Sequence, residues 1–206
     1  MTARLFIAIW PDEASRDALT TTVHEASTAA PDIRWQPAER WHVTLAFLGQ
    51  ADPEESQRRI AAHVTTGLPA PEPIRLAGSG AFGPVIWVGV EHGPWLGDLA
   101  SGLQRALRVA DRRFRAHVTV GRVRGEGGPA RAREVVPLLR PHDGPGWTPG
   151  EITLVESTTG PAPEYRICDR WPLGPPRTAA RRSTTNLDTP GSAMPDSAAS
   201  ATLEVP

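Results

Sequence analysis

The chain has 206 residues, with 22 basic and 23 acidic side chains and a formal net charge of −1. So even a balance excludes a bulk electrostatic pull toward nucleic acid or an anionic membrane. Every cation is arginine, so any fixed positive charge offered to a phosphate must be a bidentate guanidinium. The single cysteine, Cys168, excludes an intramolecular disulfide and any Cys-based zinc site.

The apolar run over 4–10 predicts a first strand, buried on both faces. It is too short for a signal sequence or a membrane span, so a cytoplasmic protein is expected. Residues 12–29 predict a helix whose Pro-Asp-Glu opening places acidic side chains at its positive end. A short extended piece at 33–35 ends before Pro37. A strand over 41–48 closes at Gly49, and a helix over 53–64 opens on Pro53. Short strands are expected at 74–76 and 85–90, with the glycine-rich GSGAFGP as their connection. A helix over 96–110, a strand over 115–123 and a helix over 131–139 follow. Strands at 151–157 and 165–171 close the core as an antiparallel pair. Residues 175–206 hold no aromatic and few large apolar side chains, which predicts a disordered tail. The folded part is then 1–173, with two lobes divided near 70–75.

The tripeptide His-Val-Thr occurs at 42–44, 63–65 and 117–119. Chance predicts about one half of a His-x-Thr from this composition. The copy at 63–65 ends a helical pattern, where positions two apart point away from each other. His63 suits a helix C-terminus and is read as structural. The other two copies lie in strands of period two. His42 and Thr44 therefore share one face, as do His117 and Thr119, while Val43, Leu45, Val118 and Val120 take the other. A solvent-facing His-Thr pair on one strand is commonplace; the same grammar twice, 75 residues apart, is not.

Two facing imidazoles supply an acid and a base near neutral pH. Two threonine hydroxyls beside them can hold the non-bridging oxygens of a phosphate. Such a phosphoester site needs no metal and no cofactor, and two histidines without a paired Asp, Glu or Cys make a poor metal shell. His24, His92 and His142 are read as surface residues.

Two H-x-T motifs on separate strands resemble the 2H phosphoesterase superfamily. The stretches RLFIAIWP, HVTLAFLG, GAFGPVIWVGV, FRAHVTVGRVR and ITLVES…EYRICDRWPL occur in the order found in the bacterial RNA 2′,3′-cyclic phosphodiesterases, the 2′-5′ RNA ligase-like family. The resemblance covers about residues 3–173. It implies an α+β fold of two similar lobes, each an antiparallel sheet with helices on its outer side, facing each other across a central cleft. It implies metal-free hydrolysis of RNA or small-nucleotide 2′,3′-cyclic phosphates to 2′-phosphates; a monomer is expected. His42 would be the proton donor and His117 the proton acceptor. Thr44 and Thr119 would hold the phosphate, Arg122 would neutralise it, and Phe47 would stack on the base. Two alternatives stay open: a 2′-5′ RNA ligase running the reaction backward, and a non-catalytic RNA- or nucleotide-binding module.

Two departures qualify the resemblance. The family usually has Pro before the second histidine, where Ala116 stands here. Phe47 and Arg122 each lie five positions after their histidine, so strict alternation puts them on the wrong face. They reach a shared cleft only if both strands end, twist or bulge after the threonine.

Overall fold

The structure, a computed structural model, describes residues 2–109, 113–158 and 164–174. The expected tail over 175–206 lies outside the described residues.

The helices form where local signals are strong. Helix α1 (Glu13–Ala29) is capped by the Asp12 carboxylate, which accepts the Ser15 N–H at 2.8 Å. Helix α2 (Pro53–Thr65) repeats the device, Asp52 accepting from Glu55 N–H at 2.9 Å. Each such cap contributes about 1 kcal/mol. Helix α3 (Pro94–Ala106) starts on proline and is closed by Arg108, which sits at φ 54°. That is the left-handed region, and a non-glycine residue there costs about 1–2 kcal/mol. Helix α4 is Gly128–Leu139.

The strands are β1 (Ala3–Ile9), β2 (Arg34–Trp35), β3 (Val43–Ala51), β4 (Ile74–Phe82), β5 (Val85–Glu91), β6 (His117–Arg122), β7 (Asp143–Trp147), β8 (Glu151–Ser157) and β9 (Tyr165–Pro172). Every pairing is antiparallel, in the order β7-β4-β5-β6-β3-β1-β8-β9, with β2 added beside β6. The ladder has two halves. They join between β6 and β3 at one residue pair, Val43 opposite Val118. Helices α1 and α4 pack on the β7-β4-β5 half, and α2 and α3 on the half that holds β3 and β9. The α+β fold with two alike halves matches expectation.

The repeat is a crossed one. Strand β1 belongs to one half, yet the helix that follows it, α1, packs on the other. Strand β5 and helix α3 cross in the opposite direction. Strand, crossing helix, His-x-Thr strand, outer helix thus occurs twice, as β1-α1-β3-α2 and β5-α3-β6-α4. Leu5, Ile7, Ile9, Val43, Leu45, Val88, Val118 and Val120 are all buried and join the main core. Phe6 and Ala8, on the other face of β1, are covered by Val155 with Trp10 and Tyr165. Strand β1 is thus buried on both faces, as its composition predicted.

Three expectations need correction. GSGAFGP is not a connection: β4 runs through it to Phe82, and only Gly83 and Pro84 turn. Its glycines are used inside the strand. A Cβ on Gly80 would stand 2.2 Å from Trp87 Cζ2, so only glycine lets that indole lie across β4. Strand β7 was not expected, because DGPGW has no alternation. It is an edge strand, where Pro145 costs no ladder bond. His142 is buried, not a surface residue. Its Nδ1 lies 3.0 Å from Thr22 Oγ1, joining it to α1, and burial pushes its pKa down.

Candidate active site

The single Val43–Val118 pair sets the geometry of the crevice between the halves. With 43 opposite 118, the antiparallel register sets His42 beside Thr119 and Thr44 beside His117. Each imidazole therefore faces the other strand's threonine. The valines point to the core, and all four polar side chains line one cleft of about 450 Å³.

Both histidines are anchored alike. His42 Nδ1 donates to the Arg40 carbonyl at 2.7 Å, and His117 Nδ1 donates to the Arg115 carbonyl at 2.7 Å. A carbonyl can only accept, so this fixes the proton on Nδ1 and leaves Nε2 as the exchangeable position in each ring. Neither Thr44 nor Thr119 uses its hydroxyl within the protein among the described residues, so both stay available to a ligand.

Phe47 and Arg122 also line the cleft, and bulges put them there. Along β1, Ala8 pairs Thr44 but Ile7 pairs Ala46, so Leu45 is the extra residue. Along β5, Trp87 pairs Thr119 but Ile86 pairs Gly121, so Val120 is the extra residue. Each bulge falls immediately after the threonine. Each resets the alternation, so that the residue five after the histidine returns to its face. All six predicted site residues thus share one cavity.

Two contacts hold these bulges. The Gln104 amide of α3 donates to the Leu45 carbonyl at 3.0 Å in a buried position. On β6, Gly121 lies under Ile33 and Trp35; an added Cβ would come within 3.2 Å of Ile33 Cγ2. A side chain there would push β2 away.

The two imidazoles differ in surroundings. His42 is stacked on Phe6, with ring centroids 4.7 Å apart, and is flanked by Trp10 at 5.3 Å and Tyr165 at 5.5 Å. This burial disfavours the imidazolium and lowers the pKa to about 4. The Arg40 carbonyl opposes that shift, and the charge of His117 adds to it. His117 meets the edges of Phe82 at 5.2 Å and Trp87 at 6.2 Å.

Charge completes the site. Arg4, Arg34, Arg40 and Arg122 line the cleft, and among the described residues no Asp or Glu does. None of the four makes an ion pair among the described residues. Arg4 lies over the exposed ring of Phe47, 5.0 Å from its centroid. Burial raises the Tyr165 pKa, partly offset by Arg40, Arg122 and Arg4. Sequence reasoning missed Arg4, Arg34, Arg40 and Tyr165. The signal for Arg4 was present: it is two residues before Phe6, on the face of β1 that looks into the cleft. Arg34 and Arg40 sit in short irregular segments, where periodicity says nothing. Among the described residues, no cluster of three His, Cys, Asp or Glu is placed to share a metal.

An antiparallel α+β protein with two like-anchored His-x-Thr strands, under arginines that make no ion pair among the described residues, is a two-histidine phosphoesterase in architecture. Residues 9–87 match the family described as LigT like Phosphoesterase. The chain is 30% identical over 173 residues to the RNA 2′,3′-cyclic phosphodiesterase of Methanothermobacter thermautotrophicus, covering 79% of this chain and 94% of that one. It is 31% identical over 190 residues to the Thermus thermophilus enzyme of the same name, with 82% and 90% covered. Among solved structures, Escherichia coli LigT complexed with 3′-AMP superposes with a TM-score of 0.65 at 22% identity, covering 84% of this chain and 99% of that one. The Thermus thermophilus protein TT0787 gives 0.62 at 26% identity, with 82% and 97% covered. The chain belongs to the LigT-like phosphoesterase family of the 2H superfamily. No helix among the described residues is long and apolar enough to cross a membrane.

Proposed function

We propose that this protein hydrolyses the 2′,3′-cyclic phosphate ends of RNA or of small nucleotides to 2′-phosphates. The observation that carries the reading is the pair of Nδ1-anchored imidazoles on one arginine-rimmed cleft, each facing the other strand's threonine. The names of the relatives support the substrate class. The protein is expected to act as a cytoplasmic monomer.

The reaction as written uses no metal. The phosphate lies between the rings, its non-bridging oxygens on Thr44, Thr119 and Arg122, and its base on Phe47. His117 Nε2 takes a proton from water. The water oxygen bonds to phosphorus, the bond to the 3′ oxygen breaks, and His42 Nε2 donates the proton to that oxygen. Solvent then exchanges the two protons back. Each transfer contributes roughly 10²–10⁴-fold. His42 carries its proton only when a counter-charge offsets its burial, and the bound phosphate supplies that charge.

The low pKa of His42 also favours a second reading in which the roles are exchanged, since a neutral imidazole is ready to act as a base. One experiment tests both. Purified protein in excess EDTA is given 2′,3′-cyclic AMP, and 2′-AMP is the expected product. No product, or a rate indifferent to His42→Ala and His117→Ala, sinks the proposal. The same variants are then tried on bis(p-nitrophenyl) phosphate, whose leaving group needs no proton. The histidine whose loss is tolerated there is the donor. His42 is the expected one, and tolerance of the His117 loss instead reverses the roles.

A further inference from the structure

Past Phe47 and His117 the crevice continues into a second chamber of about 650 Å³ that the reaction above does not use. It shares Thr44, Phe47 and His117 with the first, so the two spaces are continuous. Arg108, Arg113 and Arg115 line it together with Phe82 and Phe114, and among the described residues no acidic one does. None of the three arginines is ion-paired among the described residues. Arg115 lies over the Phe82 ring at 5.7 Å, which leaves Arg108 and Arg113 to meet an anion. Arg108 holds the left-handed position that ends α3, where glycine is the usual occupant. A strained backbone that keeps a long cationic side chain points to a task for that side chain.

A 2′,3′-cyclic end continues in only one direction, through its 5′ oxygen. The reacting site borders this chamber and another space. The other is a groove of about 580 Å³ beyond Arg34 and Arg122, which adds Arg124 but also the carboxylate of Asp32 and holds no aromatic ring. Single-stranded nucleic acid is held by cations along the backbone together with aromatic faces under the bases. Of these two spaces, the second chamber offers both.

We propose that the second chamber is the subsite for the nucleotide on the 5′ side of the reacting one. Its phosphodiester meets Arg108 and Arg113, and its base meets the ring of Phe114. The substrate class is then a single-stranded RNA end of two or more nucleotides rather than a cyclic mononucleotide. This rests on the function proposed above and narrows it.

The test compares kcat/KM on 2′,3′-cyclic AMP and on the adenylyl dinucleotide ending in a 2′,3′-cyclic phosphate. The wild type is expected to favour the dinucleotide by at least about tenfold. The double variant Arg108→Ala/Arg113→Ala should lose roughly 10- to 100-fold on the dinucleotide, with a weaker salt dependence, and stay unchanged on the mononucleotide. Arg108→Gly, which relieves the left-handed backbone, should melt no lower than wild type and still lose the dinucleotide preference; this separates ligand contact from misfolding. Equal losses on both substrates, no loss on either, or a dinucleotide-selective loss from Arg124→Ala instead overturns the subsite. If the wild type opens neither substrate, the proposed reaction has failed, and binding decides the subsite alone. The probe is then a fluorescent dinucleotide ending in a 3′-phosphate. Tighter binding than 3′-AMP that is lost in the double variant keeps the subsite, and equal binding removes it.

Discussion

The two halves of the cleft share one plan and differ in detail. On β3 the histidine is enclosed by Phe6, Trp10 and Tyr165, and the bulge brings round an aromatic ring, Phe47. On β6 the histidine meets ring edges and opens toward the second chamber, and the bulge brings round a guanidinium, Arg122. The backbone device is duplicated: a His anchored two residues back, a Thr, one extra residue, a returning side chain. What varies is what surrounds the ring and what returns. A repeated scaffold can thus surround two like-anchored histidines differently and return two unlike side chains to one cleft without a second fold.

The comparison breaks most sharply at the histidines. His42→Ala and His117→Ala should each lower kcat/KM on 2′,3′-cyclic AMP by roughly 10²–10⁴. A single variant that keeps its rate would end the pairing of the halves.

Next in size is acid stability. The unfolded chain binds a proton at His42 near pH 6.5, and the folded chain refuses it until about pH 4. The contribution of His42 to stability is therefore constant above that window and is lost as pH drops through it, by about 3 kcal/mol in full. Denaturant melts of wild type and His42→Gln at stepped pH check this. The variant should show the shallower slope, the remainder including the buried His142, whose pKa is lowered in the same direction. Equal slopes would mean that His42 is not desolvated.

Gly80→Ala probes the other ring. Its methyl collides with the Trp87 indole, which borders His117, and should cost about 2 kcal/mol. A changed near-ultraviolet dichroism of tryptophan together with a slower reaction is expected. An unchanged spectrum would place Trp87 elsewhere.

The smallest effect is expected at Gln104→Met. It removes the donor to the Leu45 carbonyl and leaves that acceptor buried, costing about 1–2 kcal/mol. Because the bulge aims Phe47, KM should rise more than kcat falls. Loss of kcat alone would contradict the role given to Phe47.

Much of this was legible beforehand for physical reasons. The capped starts of α1 and α2 are local, written by Asp12 and Asp52 within three residues of what they bind. Period two placed His42 with Thr44 and His117 with Thr119. The bulges were legible only as a requirement. The contact that fixes one of them comes from Gln104, 59 residues along the chain, and the other depends on Trp35 lying against Gly121. The strand part of GSGAFGP was hidden because Gly80 makes room for Trp87, while only Gly83 belongs to the turn. The same long range hid His142, whose partner Thr22 lies 120 residues away.

The crossed helices have a consequence for how the chain is made. Strand β1 waits for β8 to complete its ladder, and α1 has no surface to lie on until β4 and β7 exist. An emerging chain on a ribosome therefore cannot finish one repeat and then the other. Both condense together, late, once the last strands have cleared the exit, and such long-range closure is slow. Truncating the chain before β8 should therefore yield not half an enzyme but an unfolded polypeptide.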